Sequence, residues 1–411
     1  MAAWALIALG AARRYGTYTP LAIALVSAGM LLLSIGVLLL GSGRFRLPNR
    51  TSLVLGCLVA VGSTIASPAE RYAHGPAERW SHGLLIAAAI CLIALACLPK
   101  LLRWLQAAIV MLAAAAGVAG IRATPRPTID DWHILQGSAR ALVHLDNIYG
   151  QAWPGAEGHL LPYLPGSAVL LTPFYLAFSD VRYGLLAAMV LAALAVAGLH
   201  RSARSQAIAV LSGLILIYPW VLYGVEQSWP EPLLLALIAG MVLAVETKHP
   251  VLAVLCFTAA LVTKQHIVIL LPFAAIWPAF GWRRTVTSVA AAVVVTLPWV
   301  IAGPRNFWHG AVTYNLNLPP RHDSLSVFTT AIREGRTPSF ALVPLVMLIA
   351  LVLGLWKLPR TTAGFVLGSA WLLGVFDLVN KQSFFNEWSL VVGLIVLGMA
   401  TLALADSPDT R

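Results

Sequence analysis

The sequence predicts an all-α polytopic membrane protein of about thirteen transmembrane helices, with surface helices in its first long outer loop. Three observations carry this. Of 411 residues, 59% are hydrophobic and only 10% charged, against about 25% charged in soluble domains. Apolar runs of about 15–24 residues succeed one another, close to the roughly 20 needed to cross a hydrocarbon core. No alternating ten-residue pattern suggests a barrel, which leaves helices to satisfy the backbone inside a bilayer.

The runs lie near 18–41, 51–66, 82–98, 103–121, 183–199, 206–224, 231–246, 250–263, 266–280, 284–302, 341–356, 363–380 and 387–405. Gly166 to Phe178 is different: it is brief, contains Pro173 and closes on Ser179-Asp180. If it spanned, the HRSARS stretch at 200–205 would face outward, against the positive-inside rule. Read as a helix lying on the membrane surface, it puts Arg44, Arg46, Arg50, Lys100, Arg103, Arg201, Arg204, Lys248, Arg283, Arg284, Lys357, Arg360 and Arg411 in inner loops. The outer side then receives 122–182, 225–230, the Lys264-Gln265 turn, 303–340 and 381–386. Arg13 and Arg14 are the exceptions, falling outside.

Five segments follow: N-terminal helices (1–121), a first outer loop with surface helices (122–182), central helices (183–302), a second outer loop (303–340), and C-terminal helices with a short cytoplasmic tail (341–411). The net charge of +11 is the lysine and arginine excess of membrane loops, so no nucleic-acid partner is expected. Cys57, Cys91, Cys97 and Cys256 all sit in apolar runs as small hydrophobes, which argues against a disulfide framework or a cysteine zinc site. Met1 to Gly10 is apolar, but Arg13 and Arg14 follow it, the wrong order for a cleaved signal peptide. There is no internal repeat.

The polar residues crowd the outer side. Asp130, Asp131 and His133 open the first loop; Glu226, Gln227 and Glu231 lie between two spans; Lys264, Gln265 and His266 interrupt an apolar stretch. His309, Arg321, His322, Asp323 and Ser324 lie in the second loop, and Asp377, Lys381, Gln382, Asn386 and Glu387 come near the end. Ionisable groups near hydrocarbon depth cost several kcal/mol, so this many on one side implies a polar cavity open to it. Each also has a plain structural reading. One of Asp130 and Asp131 caps the helix that follows; a cap needs only one, which leaves the other free. Lys264 snorkels to the interface or meets an anion. His322-Asp323-Ser324 reads as a turn with a capping Asp, and His133 as a loop or interface histidine. Asp130, Asp131, His322 and Asp323 can be sketched as a divalent-metal site, but no true ligand spacing is present, so no metal or other cofactor is predicted. Phosphate-loop, dinucleotide-binding and nucleophile-elbow motifs are absent.

Asp131-Trp132, then Ala139-Arg140-Ala141-Leu142, Asn147-Ile148-Tyr149 and Pro162-Tyr163-Leu164-Pro165 resemble the first outer loop of the C-superfamily (GT-C) of integral membrane glycosyltransferases. The similarity is greatest to bacterial polyprenyl-phosphate-mannose-dependent mannosyltransferases. Lys264 at the outer end of a middle span and the Lys381-Gln382…Asn386 group before the last one also fit. The turn here lacks the family's glycine, Tyr-Leu-Pro replaces Tyr-Pro-Pro, and four spans precede the loop where the family has one. The resemblance implies a GT-C-like bundle in a bacterial plasma membrane, with its active site on the non-cytoplasmic face. It would move mannose, or another hexose or pentose, from a polyprenyl-phosphate donor to a glycolipid or cell-envelope glycan, with inversion. Asp131 aligns with the family's Asp-aromatic pair as general base, with Asp130 as the reserve. Lys264, Arg321 and Lys381 would balance the donor phosphate, and His133, Tyr163, Gln265, His322, Asp323, Gln382 and Asn386 would contact acceptor or sugar. The competing classes are a flippase or transporter of lipid-linked sugar, and a glycan polymerase or ligase. Transporters favour internal repeats and broken helices at midplane; a ligase would take a diphosphate donor and favour arginines over carboxylates.

Overall fold

The computed structural model describes residues 1–41, 49–66, 71–199 and 205–405. The expected inner cations Arg44, Arg46, Arg201, Arg204 and Arg411 lie outside these residues. Every regular element among the described residues is helical. In chain order these are α1 (Ala2–Ala12), α2 (Pro20–Leu40), α3 (Arg50–Ala66), α4 (Pro76–Cys97), α5 (Leu102–Ala123), α6 (Asp130–Val143), α7 (Gly166–Phe178), α8 (Arg182–Gly198), α9 (Gln206–Leu216) and α10 (Tyr223–Glu226). Then come α11 (Glu231–Glu246), α12 (Pro250–Leu261), α13 (Leu271–Ile276), α14 (Gly281–Ala302), α15 (Pro304–Trp308), α16 (Tyr314–Asn317), α17 (Val327–Arg333), α18 (Leu342–Lys357), α19 (Thr362–Val379) and α20 (Phe385–Ala405).

Every predicted apolar run contains helix, but fewer of the helices than predicted are long enough to span. By length and composition six qualify: α2, α4, α5, α14, α19 and α20. A seventh is counted if α7 and α8 form one bent span; they meet at 113°, so α7 does not continue the axis of α8. The shortfall has local causes. The 206–224 run is cut at Leu216, just before Tyr218-Pro219; the residue preceding a proline is steered out of the helical region. The 266–280 run holds Pro272 and Pro278, and yields a 3₁₀ stretch, Gln265–Leu270, and the short α13. The N-terminal apolar stretch, outside the predicted spans, forms α1. It packs on α2 and α20 with Trp4 and Ile7 fully buried. Gly10 and Gly29 allow that approach, since a Cβ on either would collide with Val26 or Ile7 of the other helix.

Contacts between helix ends sort the bundle into two ends. At one, Gln206 donates to the Leu95 and Ala96 carbonyls at 2.8 and 2.9 Å, Arg50 reaches Cys97 O, and Thr362 bonds Glu246. At the other lie both long loops and the polar residues. There Glu226, at the end of α10, accepts the backbone N–H groups of Arg71, Tyr72 and Ala73 at 2.7, 2.7 and 3.1 Å. Ser383 N–H donates to Ser324 Oγ at 2.7 Å, tying the second loop to the start of α20.

Candidate functional site

Helix α6 is clasped to the bend between α7 and α8. Gln136 donates to Ser179 O at 2.7 Å and accepts from Val181 N–H at 3.0 Å. The Trp132 indole reaches Asp180 at 3.4 Å, and Asp180 is paired with the fully buried Arg182 at 2.6 Å. This holds the start of α6 in place. Neither carboxylate there is the N-cap: Ile129 occupies that position without a side-chain cap, correcting the capping expectation. Asp130 Oδ1 instead accepts the N–H of Asp131 at 3.0 Å, and both acids sit in the first turn, where the helix dipole favours negative charge.

The Asp131 carboxylate has a donor on each oxygen. Tyr163 O–H donates to Oδ1 at 2.6 Å and Trp229 Nε1–H to Oδ2 at 2.9 Å. Tyr163 is held by its own carbonyl, which accepts from Tyr149 O–H at 2.8 Å. Desolvation pushes Asp131 up to about 7, helped by the charge of Asp130 and opposed by the Tyr163 hydrogen bond and the charge of Lys264. Asp130 is engaged differently: its Oδ2 lies 2.7 Å from His159 Nδ1. His159 ends a tight turn in which Gly155, Glu157 and Gly158 all adopt positive φ. Its ring is flanked by Tyr314 at 6.2 Å.

Beneath this pair lies an ionic cluster. Lys264 pairs closely with Glu231 and, at 3.3 Å, with Glu387; its ammonium also lies 5.5 Å from the Tyr163 ring centre. Asn386 Nδ2 donates to Glu231 at 3.2 Å and to Glu387 at 2.8 Å. Lys264 is therefore neither a snorkelling lysine nor a bare ammonium awaiting a lipid phosphate, because its partners are two carboxylates of the same chain. Burial of a lysine at this depth is compensated internally.

The other predicted residues are placed as follows. Lys381 is buried, donates to Leu316 O at 2.6 Å, and lies 5.1 Å from the Phe340 ring centre, without a carboxylate partner among the described residues. Arg321 and Asp323 pair with one another at 2.6 Å, both substantially exposed, and the His322 carbonyl accepts from Arg333. No contact among the described residues joins this trio to the carboxylates of α6, so the metal sketch that combined them is not assembled. Gln265 is a strut, donating to the carbonyls of Pro162, at 2.8 Å, and Ala311. Gln382 donates to Pro319 O at 2.7 Å. His133 lies under the 153–159 turn, so close that a Cβ at Gly155 would meet its ring at 2.5 Å. Among the described residues no group of three or more His, Cys, Asp or Glu could hold a metal ion.

Sequence reasoning missed Trp229 and His159 as site residues. Trp229 immediately precedes Pro230-Glu231 at the head of an apolar run, which is a weak marker of an interface position; His159 carries no spacing signal at all. Comparison with family models, with curated proteins and with solved structures finds no match.

Proposed function

We propose that the protein is an inverting membrane glycosyltransferase that moves a sugar from a polyprenyl-phosphate donor to a lipid-linked or cell-envelope glycan. One observation carries the reading: the half-buried Asp131, at the helix start in the first loop, is oriented by two donors and has a proton affinity close to neutrality. A general base works best when its pKa lies near the operating pH. In the proposed step the acceptor O–H bond breaks toward Asp131, and the freed oxygen attacks the anomeric carbon. The bond from that carbon to the phosphate oxygen then breaks, with its electron pair leaving on the lipid phosphate. The donor phosphate carries one negative charge and the product more, so a cation that meets it is worth more in the transition state than in the ground state. Lys264 and Arg321 already have carboxylate partners, which makes Lys381 the favoured counter-charge. Burial lowers its proton affinity, a deficit that an arriving phosphate relieves.

Purified protein in vesicles should transfer label from a radiolabelled polyprenyl-phosphate sugar and ignore the corresponding diphosphate. Lys381→Met should cut that turnover about 10²-fold, the scale for losing one preorganised charge donor. Transfer from the diphosphate alone would favour the ligase class, and label crossing the bilayer without transfer would favour the flippase class.

The reading places the chain in a bacterial plasma membrane, of about thirteen spans in a GT-C-like bundle, with the carboxylates on the non-cytoplasmic face. Single cysteines at Gly158 and Lys248 should then label from outside and from inside, respectively. Labelling of Gly158 only after permeabilisation would reverse the orientation and overturn this placement.

A second reading of the proton acceptor rests on the Asp130–His159 contact. A carboxylate holding imidazole Nδ1–H leaves Nε2 as an acceptor, so His159 is the alternative base, with Asp130 as its orienter.

A further inference from the structure

Trp229 is unlike the other groups around Asp131. Its indole is a donor only, whereas the Tyr163 hydroxyl can donate or accept. The indole can therefore satisfy Oδ2 only while that oxygen carries no proton on the facing side. Its aim is also fixed from behind. Trp229 is 8% exposed, and its ring contacts Tyr223 at 5.1 Å and Phe385 at 6.2 Å, both almost fully buried.

The backbone that presents it is over-determined. Ser228, immediately before it, sits at φ +61°, as does Trp220 nearby, a conformation that L residues rarely adopt. Such residues persist where surrounding contacts fix them, and they cluster at functional sites. Here Trp229 N–H donates to Gly224 O at 3.1 Å. Glu226, two residues on from Gly224, is locked to the backbone of residues 71–73.

We infer that Trp229 is a positioning residue for Asp131: with Tyr163 it fixes the plane of the carboxylate and holds it in the charged, proton-accepting form. This rests on the reading of Asp131 as the base. Other titratable groups face Asp131 as well: Asp130 on α6, Tyr163 ahead of α7, Glu231 at the head of α11, Lys264 after α12 and Tyr314 of the second loop. His159 acts on it through Asp130. Removing the indole N–H changes none of these charges.

The test replaces Trp229 with β-(3-benzothienyl)alanine, which keeps the bicyclic shape and deletes the donor, alongside Trp229→Phe. Turnover should fall at least about ten-fold with the acceptor KM unchanged. The acid limb of the pH–rate profile should move upward by about one pH unit, because the indole N–H bonds the charged carboxylate more strongly than the neutral carboxyl group, so its loss costs the charged form more. Phe385→Leu, which keeps the N–H and the Tyr223 contact, should move that limb less than either Trp229 variant. The same comparison is read without turnover from the infrared band of the Asp131 carboxyl group, identified by its absence in Asp131→Asn. An upward shift of that band's titration in a protein that transfers nothing would uphold the positioning of the carboxylate and sink the transferase reading. An unshifted titration in both Trp229 variants would overturn the inference.

Discussion

Lys264→Met should be strongly destabilising, by about 3–5 kcal/mol, the usual cost of removing one partner from a buried ion pair. The side chain of Glu231 is 1% exposed and that of Lys264 12%, so solvent screening offers little relief. Removing the ammonium leaves Glu231 and Glu387 facing each other, with the buried Asp377 also close enough to feel both charges. Among the described residues Glu231 Oε2 has no hydrogen-bond partner, and of these residues Asn386 would be left to bridge the two acids. The expected result is a low yield of folded protein in detergent and a large drop in its apparent unfolding temperature. Lys264→Arg should keep part of the stability, since charge survives while geometry changes. The double variant Lys264→Met with Glu231→Gln should recover much of the loss, because it removes the uncompensated charge together with its partner. A Lys264→Met protein as stable as wild type would show that the ammonium is not what neutralises these acids.

Much of the helical layout is legible in the sequence, because apolar length and the placement of polar residues between the runs act locally. The position of each helical run follows from them, as does the gathering of polar residues at one end. What escapes is set by contacts between distant segments. The Trp229–Asp131 hydrogen bond joins residues 98 apart, and nothing in the residues around Trp229 specifies it. The Asp130–His159 contact depends on three departures into positive φ, at Gly155, Glu157 and Gly158, of which the glycines are visible and Glu157 is not. Lys264 is the instructive intermediate. Glu231, Lys264 and Glu387 all stand at ends of apolar runs on the same side of the bundle, so their pairing was available from equal depth alone. Read singly, each acid or base invites an external partner; read by depth, they satisfy one another. Helix lengths escape for a related reason: a run such as 266–280 is apolar after His266, yet its prolines decide how much of it is helix.

Asp131→Asn should abolish transfer almost completely, by about 10²–10⁴-fold, the usual contribution of a general base. The substitution is mild in structure. With Oδ1 turned to the Trp229 indole, the amide can donate to the Tyr163 oxygen, so both neighbours keep a partner. The charge effect runs in the variant's favour as well. Asp131 has its proton affinity raised in the folded state, from 3.8 to about 7, so the folded chain binds that proton more tightly than the unfolded one. Its ionisation therefore costs stability as pH rises through this interval, and an uncharged asparagine is spared that cost. Lost activity with an unchanged or higher unfolding temperature is thus the expected pair of results. Asp130→Asn should be less damaging, since Asp130 acts on His159 and on the charge of Asp131. The decisive measurement is kcat/KM for sugar transfer from the polyprenyl-phosphate donor against pH, in wild type and Asp131→Asn, with His159→Gln beside them. The account predicts a wild-type rate that falls as pH drops through about 7, a flat residual rate in Asp131→Asn, and a persisting acid limb in His159→Gln. Wild-type activity with an unchanged acid limb in Asp131→Asn, and its loss in His159→Gln, would contradict it and give the proton to the histidine.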